Sequence, residues 1–272
     1  MWTPAARTKL VRPAQPDATC LTDAEWQMAQ AFLPAPVRCG RPRRWSMRVL
    51  LDGVLYVLRT GCAWRHLPRD FPPWQTTPRW FLGLTRSGAF ERMAHALLMA
   101  DRERAGRDAS PTATVLDAQT AGSGGTGVAG RRGYDAAKRV VGRKRHALVD
   151  TNGRLLLATV SSADLHDGHG GIALMRTSRR PWPFSALCYA DRAYAGPRVA
   201  GATPVCVALV GFTPGQRGFA VRPRRWVIER TFASTGRCRR LARDHEATPG
   251  SAIAFFVLAA ATVLLWHLAK PS

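Results

Sequence analysis

Acidic residues are scarce in this 272-residue chain: 18 Asp and Glu stand against 40 Lys and Arg, a formal net charge of +22. The excess is spread along the chain, so a basic tail is excluded as its source and nucleic acid becomes the leading partner class. No CxxC pair occurs among Cys20, Cys39, Cys62, Cys188, Cys206 and Cys238. That excludes zinc-finger spacing and a dense disulfide framework. The N-terminal MWTPAARTKLVRP lacks the uninterrupted apolar core of a secretory leader, so a reducing cytoplasm is expected. The glycine-rich run at 121–133, AGSGGTGVAGRRG, lacks the GK[ST] that would make it a phosphate-binding loop, and it reads as flexible. Hydrophobic residues make up 46% of the chain, enough to bury a core and to exclude a disordered basic protein.

The first hundred residues read as helical. Thr22 and Glu25 form a capping box ahead of Trp26, Met28, Ala29, Phe32 and Leu33. Ser46 caps a second helix that runs through Val49, Leu50, Val54, Val57 and Leu58 and ends at Gly61. Thr77-Pro78 predicts an N-cap and first-turn proline for a third, stopping near Gly88, and a fourth covers Phe90 to about Met99. Helices two and three, joined by LPRDFPPW, have the makings of a helix-turn-helix with Arg79 and Arg86 facing DNA. The same arginines would also suit the solvated face of a small bundle. DRERAGRDASPT at 101–112 reads as a linker, dividing the chain into a helical part at 1–105 and a second part at 112–272.

Beyond the linker the period changes. Ala113–Ala118 is a short strand, and two more, Arg145–Asp150 and Leu155–Val160, flank the hairpin signal Asn152-Gly153. A helix near Gly170–Thr177, strands at Ser185–Ala190 and Pro204–Val210, and a helix bearing Glu229 follow. A meander followed by strand–helix alternation predicts a mixed α/β sheet. The apolar run Ala252–Ala269 borders on the length of a membrane span. His267 near its end and the close-packing alanines Ala259–Ala261 instead predict a buried C-terminal helix, with no membrane partner.

From Arg217 to Arg243 the chain holds nine arginines, and Glu229 is the sole acid among them. A lone carboxylate on such a surface repels phosphate unless a cation lies between them, although a local pair with Arg225 or Arg230 would explain it too. Asp117 on the first strand and Asp191 at the end of a later one could reach the same sheet edge as Glu229. Three carboxylates so placed can bind two divalent cations, the arrangement that activates a water or sugar hydroxyl in phosphodiester displacement. Asp at a strand end is also a common turn former.

Long motifs in one order carry a resemblance. LTDAEWQMAQAFLP, GRPRRW and LYVLRTGCAWRHLPRDFPPWQT, then VLDAQT, GYDAAKRVVGRKRHALVDTNG, YADRAYAG and RRWVIERTF with GRCRRLARDHE, resemble an insertion-sequence transposase of the DDE type, the IS five group. The resemblance runs from Leu21 to about Glu246. It implies a ribonuclease H-like catalytic domain at 112–272 preceded by a helical DNA-binding domain at 1–105. It further implies Mg²⁺- or Mn²⁺-dependent cutting and joining of double-stranded DNA at the element's inverted repeats, with two ions held by Asp117, Asp191 and Glu229. Arg225 and Arg237 match basic positions flanking the family's Glu, and Lys144 and His146 would face DNA near the active edge. A homo-oligomeric synaptic complex in a bacterial cytoplasm, associated with the nucleoid, is the implied setting. The sequence departs from the pattern at Arg192-Ala193, Ser234-Thr235 and Arg222. The interval from Asp191 to Glu229 is short and predicts a missing helix between Gly196 and Pro204, so a decayed copy that binds DNA without cutting is the alternative.

Overall fold

The computed structural model describes residues 17–35, 42–124, 131–210 and 225–270. Helix α1 (Asp23–Gln30) starts at the expected capping box: Thr22 Oγ1 accepts from Glu25 N–H while the Glu25 carboxylate accepts from Thr22 N–H at 2.8 Å. Helix α2 (Met47–Thr60) begins with Ser46 accepting from Val49 N–H and ends on Gly61 at φ 73°. A Cβ at Gly61 would lie 3.0 Å from Arg239, so this left-handed cap also admits the chain from the far end of the sequence.

Helices α3 (Thr76–Arg86) and α4 (Ala89–Arg104) depart from expectation at their ends. Thr77 does not cap α3. It is buried, and its hydroxyl donates to Pro72 O instead. Helix α4 runs through residues expected to be linker because Asp101 and Arg102 are buried and ion-paired. Arg102 Nη1 reaches Asp150 Oδ2 at 2.5 Å and Arg154 Nε reaches Asp101 Oδ2 at 2.5 Å, pinning the helix to the hairpin at 150–154.

Six strands form one mixed sheet: β1 (Ala113–Gly122), β2 (Gly133–Asp135), β3 (Val140–Asp150), β4 (Leu155–Ser162), β5 (Leu187–Ala190) and β6 (Cys206–Leu209). Strand β3 pairs antiparallel with β1 on one side and with β4 and β2 on the other, while β5 runs parallel to β1 and β6 parallel to β5. The β3–β4 hairpin turns at Asn152-Gly153 as expected, with Gly153 at φ 82° and Asp150 Oδ1 accepting from Asn152 and Arg154 N–H. Strand β1 extends four residues beyond Ala118, so the start of the glycine-rich run is strand; residues 125–130 of that run lie outside the described residues.

Helix α5 (Asp167–Ser178) covers one face of the sheet: a Cβ on Gly171 would meet Leu116, and one on Gly170 would meet His146. Side chains alternate along a strand, so Asp117 points to the opposite face. Arg145, on the Asp117 side, donates to Leu241 O at 2.7 Å. A one-turn helix, α6 (Pro197–Ala200), precedes β6 and occupies the interval where a helix was expected to be missing. Helix α7 (Arg225–Gly236) packs on β1.

Helix α8 (Pro249–Leu268) is long and apolar enough to cross a membrane, yet most of it is buried against α4, β4 and α1. Phe255 stacks on Phe81 of α3 at 4.3 Å, and Phe256 on Phe232 of α7 at 6.0 Å. One hydrophobic core therefore runs from α1–α4 through α8 into the sheet, across the boundary read at 105–112.

Candidate active site at the ends of β1 and β5

Strands β1 and β5 bring two of the expected acids together. In their parallel register Ala113 lies opposite Leu187, Thr114 opposite Cys188 and Val115 opposite Tyr189. The same offset carried two residues past the last pair would set Asp117, midway along β1, level with Asp191, the residue that follows β5. Asp191 leaves β5 and accepts from Ala193 N–H at 2.9 Å, capping the 3₁₀ turn Arg192–Tyr194. Asp117 accepts from Ala118 N–H at 2.8 Å.

That 3₁₀ turn folds Tyr194 into the core beneath the acids. The ring packs on Gly171, where a Cβ would come within 2.5 Å of it, and the buried hydroxyl has no hydrogen-bond partner among the described residues. Burial, then the carboxylates of Asp117, Asp167 and Asp191, drive the Tyr194 pKa upward. Tyr194 thus stays a neutral donor next to the aspartates. Sequence reasoning passed over Tyr194 and Asp167; the apolar setting of the tyrosine in YADRAYAG was the available signal.

Glu229 is exposed on α7, on the side of the sheet to which Asp117 points. Its neighbours Val227 and Ile228 are buried and seat the helix, while Thr231 donates to Gly153 O at 2.8 Å. Thr235, one of the two unexpected residues on this helix, is buried and bonds back to Thr231 O. Among the described residues no three of His, Cys, Asp and Glu are grouped closely enough to hold a metal ion. Asp117, Asp191 and Glu229 therefore form no such cluster, and Glu229 stands on the helix that packs on β1.

The residues read as DNA-facing divide. Arg79, Arg86 and Arg237 are exposed. Arg225 begins α7, but its side chain lies outside the described residues, as does Arg222. Lys144 and His146 do not face solvent. Lys144 Nζ pairs with Asp167 at 2.9 Å and donates to Leu165 O, and His146 is fully buried with Nε2 2.8 Å from Ser161 Oγ. Strand β3 is a central strand covered on both faces, so its charges have to find internal partners. Arg143 does the same, pairing with Asp244 at 3.1 Å and donating to Glu246 O at 3.0 Å. The basic run in β3 is a clamp for residues 241–247.

Burial depresses the His146 pKa from 6.5 to about 4, Lys144 adding to the fall and Asp167 opposing it. The unfolded chain therefore binds a proton that the folded chain refuses, and stability falls as pH drops from 6.5 towards 4. The slope from this group approaches about 1.4 kcal/mol per pH unit. His146→Gln is expected to flatten the wild-type pH dependence of the urea midpoint across that window. Parallel profiles for the two proteins would show that His146 is not the responsible group.

Two families match this chain in succession. The one described as "Putative transposase of IS4/5 family" matches residues 21–94, spanning α1 to α4, and the "Transposase DDE domain" matches residues 108–204, which contain Asp117 and Asp191 but end before Glu229. The protein named uncharacterized protein y4sN, from Sinorhizobium fredii (strain NBRC 101917 / NGR234), is 27% identical over 81 residues, 30% of this chain and 65% of that protein. The chain thus spans just under two thirds of the length of this relative. No solved structure matches it. With an IS4/5 transposase region running into a DDE domain in a single chain, the protein belongs to the DDE transposases of the IS4/IS5 type.

Proposed function

We propose that this protein binds the terminal inverted repeats of an insertion sequence and catalyses metal-dependent strand cleavage and strand transfer there. The observation that supports the reading is the register of β1 and β5, whose offset carried forward would bring Asp117 level with Asp191. Strand order supports it: β4-β3-β1-β5-β6, three antiparallel strands followed by two parallel ones, is the arrangement of a ribonuclease H-like sheet.

Facing aspartates at a sheet end are a donor set that suits a hard divalent cation, and Tyr194 offers them a neutral hydroxyl. In this reading Asp117 and Asp191 would hold one Mg²⁺ or Mn²⁺, and Glu229 would help hold a second. Such ions lower the pKa of an attacking water or 3′-hydroxyl and stabilise the leaving oxygen. Asp117 and Asp191 orient the site, and the arginines of α7 draw the phosphate backbone in. Helices α1–α4 supply recognition of the element ends through Arg79 and Arg86, and pairing two ends calls for at least two copies of the chain. Action on chromosomal DNA sets the work in the cytoplasm. The decayed-copy alternative loses ground because all three acids are retained and α6 fills the interval thought to be deleted.

The test is nicking of a duplex bearing the element's own end, compared with a scrambled duplex, in Mg²⁺ and in EDTA. Cleavage confined to the Mg²⁺ reaction on the cognate duplex supports the reading. Equal treatment of both duplexes with no cleavage overturns it.

A further inference from the structure

The charge of GYDAAKRVVGRKRH splits in space. Arg143, Lys144 and Arg145 turn inward, whereas Lys138 and Arg139 are exposed at the turn joining β2 to β3. This turn is held firmly. Asp135 is buried, accepts from Lys138 N–H at 3.1 Å and from Thr120 Oγ1 at 2.6 Å, and lies 3.9 Å from Lys144 Nζ. Lys138 Nζ also donates to Thr120 Oγ1 at 3.2 Å, which leaves it two further donors. Arg139 sits at φ 53°, a backbone conformation that L side chains adopt at a cost. Such strain persists where surrounding bonds over-determine it.

Behind the tip, Tyr134 and Val141 lie directly opposite one another on the two strands, and each is 54% exposed. They form an apolar patch behind the hairpin tip, where Lys138 and Arg139 are exposed. By alternation along β3, Val141 shares a sheet face with Ala147, and Ala147 pairs with Asp117. The patch therefore lies on the same face as the candidate catalytic aspartate.

We infer that the β2–β3 hairpin is a second DNA-contact element, in which Lys138 and Arg139 hold duplex phosphates while Tyr134 and Val141 rest on the sugar edges of the minor groove. It rests on the transposase reading above and adds where the duplex lies. From Asp117 to the patch is about six residues along the strands and two strands across, roughly 20–25 Å. At about 3.4 Å per base pair, the hairpin contacts DNA some six or seven base pairs from the phosphate being cut. Cations flanking exposed apolar residues suit a polyanion with apolar sugar edges better than they suit an apolar protein surface.

The experiment is fluorescence anisotropy of the full-length protein with a random-sequence duplex of about 30 base pairs, across about 50–200 mM salt. Each phosphate contact contributes about 0.9 to the slope of log K against log salt, so the double variant Lys138→Gln/Arg139→Gln should lower the slope by about 1–2. Arg139→Lys should retain it, Tyr134→Ser should weaken binding several-fold at unchanged slope, and Arg176→Gln on the opposite face should alter neither. All these sites are exposed, and coincident melting curves establish that the variants fold. Salt-dependent binding by wild type with an unchanged slope in the double variant overturns the hairpin assignment and leaves the transposase reading standing. Absence of salt-dependent binding by wild type sinks both. A lowered slope with Tyr134→Ser equal to wild type overturns the minor-groove placement.

Discussion

Asp117→Asn and Asp191→Asn are each expected to abolish Mg²⁺-dependent nicking while leaving affinity for DNA nearly unchanged. The β1–β5 offset carried forward would bring the two carboxylates level, and an amide keeps the shape and the hydrogen bonds from Ala118 and Ala193 N–H while removing the charge a cation needs. Metal-borne stabilisation of a transition state amounts to several kcal/mol, so losing about 4 kcal/mol would slow cleavage on the order of a thousandfold. Removing a negative charge from a surface that meets phosphate cannot weaken binding electrostatically. Glu229→Gln should behave in the same way, and it is the more searching variant because Glu229 is exposed on α7. Parallel loss of binding and cutting would assign these acids to the fold instead of the chemistry.

The largest effect on stability is expected from Phe256→Asp. Phe256 is almost wholly buried where α8 meets α7, stacked on Phe232. An unpaired buried charge costs several kcal/mol, against a total stability of about 5–15 kcal/mol for a typical domain. The variant should accumulate as insoluble or dye-binding protein, whereas Phe256→Leu should cost about 1 kcal/mol and remain soluble. A membrane-spanning α8 makes the opposite forecast, with the remaining domain folded and only bilayer association lost. Recovery of wild type solely from detergent-extracted membranes at high salt would overturn the core assignment.

What was legible in the sequence was local. The capping box at Thr22, the Ser46 cap, the Gly61 stop and the Asn152-Gly153 hairpin are each written in a few adjacent residues, and each formed where expected. The place of Asp117 was misjudged, since it was read near the end of a strand whereas β1 runs on to Gly122 and leaves it mid-strand. Errors arose where distant parts of the chain decide a residue's surroundings. Asp101 and Arg102 looked like linker until the hairpin supplied their counter-charges, and Lys144 and His146 looked like a DNA face until β4 and α5 covered β3. A basic run on a strand reads as solvent-facing only if that strand lies at an edge, and its position in the sheet is a property of topology. Tyr194 illustrates the same limit, since its isolation beneath the acids exists only after α5 packs over the turn that follows β5.

Helix α8 follows every other described element in chain order, yet it fills the gap between α3–α4 and the sheet. At about 5–20 residues per second, the ribosome needs on the order of ten seconds to make the stretch between the end of α4 and the start of α8. Throughout that interval Phe81 and the inner face of α4 lack the cover that α8 gives them, although Trp64 and Phe90 already lie beside Phe81. The nascent protein is thus a client for holding chaperones until its last helix emerges. A chain stopped upstream of residue 249 is expected to lack the Phe255 and Phe256 contacts that tie α3 and α7 to α8.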